Sequence, residues 1–307
     1  MEVLQGTGSL PIDGSSAVTI GFFDGVHRGH QAVIGRTVEV ARREGFRSVA
    51  VTFDRHPREV LTPHEVPALL TTLRRKAGLI EELGVEVLVV HPFTEEVARS
   101  SAEAFVSRIL AGALRAAHVV VGESFTFGHR AAGTLATLVE HGAAHGFTAE
   151  GVPLLRLDGR VVSSTSIREA LATGDLDWPH RALGRRHVVD GTVVPGAGRG
   201  KGLGFPTANL RVPDGIRLPG RGVYAGRASN DRGSWPAAIN IGINPTFGEE
   251  PLHLEAHLLG FDGSLTGQVL AVEFWERLRD EVRFASADEL SRQIAADVER
   301  TRALVEV

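Results

Sequence analysis

Residues 16–44, SAVTIGFFDGVHRGHQAVIGRTVEVARRE, decide the fold. Ser16 to Gly21 is a short apolar run that predicts a strand. From Gly29 to Glu44 the residues Val33, Ile34, Val38 and Ala41 recur near 3.6-residue spacing, which predicts an amphipathic helix. A Gly-rich turn with two histidines joins them. Working outward, Ser48–Phe53, Glu86–Val90, His118–Val121 and Thr148–Val152 read as further strands. Helical periods at Thr72–Leu83, from Ser100 through Leu110, and at Thr134–His145 separate them. Ser100 with Glu103, and Ser166 with Glu169, have capping-box spacing, the second opening a short helix that stops near Gly174. Strands alternating with helices imply βαβ units, hence a doubly wound α/β domain on a parallel sheet.

After Trp178 the rhythm changes. Arg185–Val194 alternates like a strand, and a Gly-rich stretch runs from Gly196 to Gly204. Strand candidates follow at Gly222–Arg227, Ala237–Ile241, Leu252–Leu259 and Val269–Phe274, punctuated as in a small β-barrel or sandwich. Only Ala287–Val305 regains a helical period. The expected domains are 1–183 and 184–307.

At 307 residues the chain is long enough for two domains. It has no cysteine, which excludes disulfides, thiolate nucleophiles and Cys-ligated metal. A net charge of −4 without a basic block argues against nucleic acid as a partner. No apolar run reaches the roughly 18 residues of a membrane span. MEVLQGTGSLPIDGSS lacks the basic and then apolar regions of a signal peptide, so a cytoplasmic protein is expected. Oligomeric state is not readable. Of 33 basic residues only Lys76 and Lys201 are lysine.

The Gly21–His30 turn, GFFDGVHRGH, lies where open α/β sheets bind ligands, at the carboxyl end of a strand. Gly21, Gly25 and Gly29 allow close backbone approach, and a helix N-terminus favours an anion. His27 and His30, three apart on the first turn, face one side and suit phosphate oxygens. The plain alternative is that one histidine caps the helix and the other is merely exposed. A metal site from His27, His30, His56 and His91 is a further alternative, weakened because the His-x-x-His pair lacks an adjacent Glu.

H-x-G-H after a first strand resembles the nucleotidyltransferases that move AMP or CMP from a nucleoside triphosphate. The longer GFFDGVHRGHQAVI is similar to the FMN adenylyltransferase half of the bacterial bifunctional riboflavin kinase/FAD synthetase family. Three further matches follow in order: Phe53–Pro57 (FDRHP), Gly122–Gly128 (GESFTFG) and Ser163–Arg168 (SSTSIR). The resemblance implies that His27 and His30 serve the triphosphate, together with Gly21, Phe23, Gly25 and Gly29. It also implies roles for Ser163, Ser164 and Thr165 just ahead of a helix N-terminus, with charge from Arg160 or Arg168, while Ser166 caps. Ser124, Phe125 and Phe127 would meet the flavin acceptor.

In the second half, Gly200–Asn209 (GKGLGFPTAN) resembles the G-F-P-T-A-N motif of riboflavin kinase, and is not a P-loop because no Ser or Thr follows the lysine. GVYA at 222–225, NIG at 240–242 and NPTF at 244–247 match the family in order. The resemblance implies ATP phosphates at Gly200, Lys201, Gly202 and Gly204, Mg²⁺ on the oxygens of Thr207 and Asn209, and flavin contact at Asn244. Glu255 of the E-x-H strand (LEAH, 254–257) becomes the base for the ribityl 5′-hydroxyl, although a strand Glu without context is usually a solvated side chain. The implied substrates are ATP, riboflavin and FMN, and the implied products FMN and FAD.

Three departures stand out. Ser124 replaces Asn or Asp, Ser264-Leu265-Thr266-Gly267 replaces D-L-Y-G, and Ser166 replaces an often basic residue. They keep open a divergent enzyme with one activity or another phosphorylated acceptor, and a non-catalytic flavin-binding regulator.

Overall fold

The computed structural model describes residues 1–6, 12–196, 199–202, 204–242 and 252–305, without the side chains of Arg199 and Lys201. By internal contacts the chain forms two compact units, Met1–Pro67 with Thr72–Ser164, and Ala68–Thr71 with Thr165–Val307. That division falls ahead of residue 183, because the helices Ser164–Thr173 and Asp177–Leu183 belong almost wholly to the second unit.

The first unit is built on six strands: β1 (Glu2–Gln5), β2 (Ser16–Ile20), β3 (Arg47–Phe53), β4 (Val87–His91), β5 (Ala116–Gly122) and β6 (Thr148–Val152). All pair in parallel, in the order β1-β4-β3-β2-β5-β6. Successive residues feed opposite faces. Val49, Val51, Val87 and Val89 join one core cluster with Leu110, Leu114 and Leu138, while Ala50, Leu88 and Val90 join another with Ile34, Val38 and Ile80. That two-sided burial explains why these strands read as continuous apolar runs. From β2 the chain steps outward through β3 to β4, then returns to the other side of β2 for β5 and β6. The switch point therefore lies between β2 and β5, where a crevice opens beyond the strand ends.

Several sequence expectations shift. Strand β1 is an extra edge strand, too short and too exposed to show a pattern. The helix expected from Ser100 is capped instead by Ser101, whose side chain accepts from the Ala104 N–H at 3.1 Å, and it passes into a π-helical run over Val106–Ala113. The helix at Ser164–Thr173 starts before Ser166, so Ser166 does not cap it. Its Oγ accepts from the Trp178 indole N–H at 3.2 Å. A hairpin of β7 (Arg156–Leu157) and β8 (Arg160–Val161) precedes this helix, with Asp158 and Gly159 both at positive φ, as a two-residue I′ turn requires.

The second unit carries β9 (His187–Val194), β10 (Ala208–Arg211), β11 (Gly222–Asn230), β12 (Gly233–Gly242), β13 (His253–Leu258) and β14 (Val269–Arg279). They close into an antiparallel barrel in the order β10-β13-β12-β11-β14-β9. Strict alternation along β9 and β13 sends Val189, Val193, Leu254, Ala256 and Leu258 inward. Sequence periodicity passes over β10, a four-residue strand without a β-branched residue. The helix Ala287–Val305 follows the barrel strands. Among the described residues no helix is long and apolar enough to cross a membrane.

Leu110 is fully buried in the first unit. Leu110→Ala should therefore cost about 2–5 kcal/mol in urea unfolding followed by circular dichroism, and an unchanged midpoint would contradict this packing.

Candidate active sites

The Gly21–His30 loop follows β2 and the GESFTFG loop follows β5, so the two motifs flank the switch point of one sheet. The first loop is strained. Phe23 and Val26 hold φ of 53° and 40°, which side chains disfavour and a β-branched residue disfavours most. Burial of both side chains in the core keeps them there, at 3% and 1% exposure. The Gln31 side chain also donates to the Val26 carbonyl at 2.8 Å.

His27 caps the helix Arg28–Glu44, its Nδ1 accepting from the His30 N–H at 3.2 Å, which leaves the ring proton on Nε2. His30 is not the exposed partner of the plain alternative. Its ring stacks on His27 at 3.6 Å between centroids and meets the edge of Phe23 at 5.3 Å. Burial, and then the nearby His27 and Lys76 charges, hold its imidazolium well below the usual range, so it is neutral near pH 7. Its buried Nδ1 has no hydrogen-bond partner among the described residues. A Cβ at Gly29 would stand 3.1 Å from the His27 ring, so a side chain there would press on that ring.

The other residues expected in the first site are distributed as follows. Ser164 Oγ donates to the Asp24 carbonyl at 2.9 Å, tying the start of the Ser163–Arg168 motif to the loop. Arg160 is exposed on the β7–β8 hairpin, and Ser163 is half-buried. Thr165 is exposed, and Arg168 donates through Nε to the Ala68 carbonyl at 2.7 Å, both within the second unit. Ser124 is exposed. Phe125 is half-buried and stacks on Phe127, whereas Phe127 is 8% exposed and packs against Phe105 in the core. His56 lies edge-on to Phe22 and His91 bonds the Pro92 carbonyl. Among the described residues no three His, Cys, Asp or Glu side chains converge as a metal site.

In the barrel, strand register builds the second site. Glu255 on β13 pairs with Asn209 on β10 and with Asn240 on β12, so three polar side chains stand in one row across three strands. They alternate with the inward Leu210, Leu254 and Ile239 and therefore face outward, all half-buried. Asn209 lies over Gly196, where a Cβ would come within 2.0 Å of its Nδ2. His257, two residues beyond Glu255 on the same face, bonds the Pro206 carbonyl through Nδ1 at 2.8 Å. The Phe205 N–H closes the Gly-rich turn onto the Gly200 carbonyl at 2.8 Å. Thr207 is half-buried between these anchors, and Gly202 and Gly204 are exposed. Asn244 and the Lys201 side chain lie outside the described residues. Leu265 is buried at the Ser264–Gly267 turn, which binds Arg232 through the Ser264 carbonyl.

Two side chains at these sites receive no role from the sequence. His257 is legible only through E-x-H spacing, which sets it on the face of Glu255. Lys76 is visible in the sequence only as one of two lysines.

Comparison with known proteins agrees with this layout. A family model described as FAD synthetase matches residues 10–166, and one described as riboflavin kinase matches residues 183–305. A bifunctional riboflavin kinase/FMN adenylyltransferase from Pseudomonas fluorescens is 42% identical over 306 residues, covering 99% of this chain and 98% of its own. Its counterpart in Bacillus subtilis (strain 168) is 36% identical, covering 92% of this chain and 90% of its own. That of Escherichia coli (strain K12) is 35% identical, covering 97% and 96%. A crystal structure described as a macrolide-efflux protein from Streptococcus pneumoniae shares the fold at a TM-score of 0.90. It is 28% identical and covers 98% of this chain and 99% of that one. Matched along nearly its whole length, the chain belongs to the bifunctional riboflavin kinase/FMN adenylyltransferase family.

Proposed function

We propose that the chain makes FMN and then FAD by two chemically distinct phosphate reactions, adenylyl transfer within residues 1–183 and phosphorylation within 184–307. The observation that carries the reading is the pairing of two unlike sites. One is a stacked, capped histidine pair at the sheet's switch point, and the other is a carboxylate set between two asparagines on a barrel face.

In the kinase step Glu255 takes the proton of the riboflavin 5′-hydroxyl. The freed oxygen bonds to the γ-phosphorus of ATP as the bond to the β-phosphate oxygen breaks, giving FMN and ADP. Asn240 and Asn209 flank the carboxylate and restrict it, while His257 holds Pro206 and with it the turn leading to Thr207. Thr207 and Asn209 offer a hydroxyl and an amide oxygen, hard neutral donors that suit Mg²⁺ once phosphate oxygens complete its shell. Mg²⁺ there would neutralise phosphate charge. Gly200, Lys201, Gly202 and Gly204 are assigned to the nucleotide phosphates, and Asn244 to the flavin.

In the second step an FMN phosphate oxygen attacks the α-phosphorus of another ATP and pyrophosphate leaves, giving FAD. His27 and His30 donate ring N–H groups to the triphosphate and to the charge that develops on the leaving group. The neutral state of His30 suits a donor that must not trap the product as a fixed ion pair. Gly21, Phe23, Gly25 and Gly29 shape the loop, Ser164 bonds it through the Asp24 carbonyl, and Arg160 and Ser163 are assigned to the same ATP. Thr165 and Arg168 carry the rest of the Ser163–Arg168 motif. Ser124 and Phe125 meet the acceptor, and Phe127, as a core residue, supports Phe125. Because both steps consume ATP, we assign them to the cytoplasm.

His30→Ala should lower FMN adenylylation by about 2.7–4 kcal/mol, roughly 10² to 10³ in rate, while leaving riboflavin phosphorylation intact. Glu255→Gln should do the reverse. Chromatographic assay of flavins checks both, and loss of both steps in either folded variant would refute the two-site assignment. Ser124→Asn, at an exposed position of the acceptor loop, should raise the adenylylation rate. Unchanged turnover would remove Ser124 from the determinants of that step.

A further inference from the structure

Lys76, on the helix Leu73–Glu82, is 3% exposed, an unusual state for a lysine. Its Nζ donates to the Phe22 carbonyl at 2.9 Å, to Thr52 Oγ1 at 2.9 Å and to the Phe53 carbonyl at 3.5 Å. An ammonium has three N–H donors, and these acceptors use all of them. Thr52 Oγ1 also donates to the Phe22 carbonyl at 3.0 Å, which closes a triangle. One side chain thus ties the helix after β3 to the end of β3 and to the loop after β2. The Phe22 ring covers the ammonium at 4.2 Å.

Packing alone does not account for this choice. Methionine would fill much the same volume without the cost of burying a charge. The bonded carbonyl belongs to the residue just before Phe23, where the strained part of the loop begins.

We propose that Lys76 is a positioning residue for adenylyl transfer, fixing the Phe22 carbonyl and hence the Phe23–His30 turn while supplying a positive charge near His30. This rests on the assignment of His27 and His30 to the triphosphate. The ionisable groups coupled to this charge are Asp24 in the loop, Asp54 after β3 and His30 on the helix Arg28–Glu44, and His56 lies edge-on to the Phe22 ring that covers the ammonium. His91 ends the neighbouring β4 strand. Burial lowers the Lys76 ammonium to about 8, with Asp24 and Asp54 opposing the fall, so it stays mostly charged at neutral pH. The same charge helps keep His30 unprotonated. The lysine carries the charge, and the histidine remains a neutral donor.

The test compares Lys76→Met and Lys76→Arg in the full chain by steady-state kinetics of both reactions and by NMR titration of the histidines. Lys76→Met should lower kcat for FMN adenylylation at least tenfold and keep riboflavin phosphorylation within twofold. It should also raise the midpoint of His30, because a neighbouring positive charge is gone. Lys76→Arg should restore part of kcat and keep that midpoint low, which a purely structural lysine would not require. Adenylylation within twofold of wild type in Lys76→Met, or an unmoved His30 midpoint, would overturn the proposal. The dispersed histidine resonances of the first unit report whether it is folded. Should Lys76→Met not fold, Thr52→Val removes one acceptor and keeps the charge. A kcat loss of at least threefold is then expected, and no loss overturns the proposal. Retained adenylylation in His30→Ala would instead refute the site assignment itself.

Discussion

The proposed adenylyl-transfer site depends on holding a short loop in a conformation its residues resist. Phe23 and Val26 sit at positive φ between β2 and its helix, and neither is glycine. Such strain persists only where the surroundings over-determine it. Here the apolar core buries both side chains, Gln31 bonds the Val26 carbonyl, Ser164 bonds the Asp24 carbonyl, and Lys76 bonds the Phe22 carbonyl. The outcome is two imidazoles stacked face to face at the mouth of a parallel sheet, one committed as a helix cap and the other kept neutral.

The barrel solves a different problem by different means. Its site needs no strained loop, because antiparallel register already aligns Asn209, Glu255 and Asn240. A one-residue slip of β13 would turn Glu255 into the barrel and Leu254 outward, so the apolar interior fixes the register that the chemistry uses. Adenylyl transfer needs donors for a departing pyrophosphate, and hydroxyl phosphorylation needs a carboxylate base. In the proposed assignment the histidine pair and Glu255 supply these groups separately.

Much of this was legible in the sequence, and the reasons for the gaps are physical. The central strands announced themselves through runs such as SVAVTF and EVLVV, because burial on both faces leaves no polar alternation to confuse the pattern. The edge strand Glu2–Gln5 and the short Ala208–Arg211 gave no such signal, being fixed by pairing with partners distant in sequence. Caps were right in kind but displaced by a residue at Ser101, since adjacent serines compete and only geometry selects one. Capping-box spacing at Ser166 does not yield a cap, because the helix already begins at Ser164 and the Ser166 hydroxyl accepts from Trp178 beyond the helix end. H-x-G-H, G-F-P-T-A-N and E-x-H point to the loop and the barrel face proposed as the two sites. They do not show that Phe127 belongs to the core, nor that Lys76, 54 residues after Phe22, would reach back to bond its carbonyl.

The central claim is that one chain carries out two different phosphate reactions in succession. Supplying the purified protein with riboflavin, Mg²⁺ and ATP labelled separately at its α- and γ-phosphorus tests it most directly. The account predicts γ label in FMN and in FAD, and α label in FAD alone. Appearance of α label in FMN, or formation of FAD without it, would contradict the account.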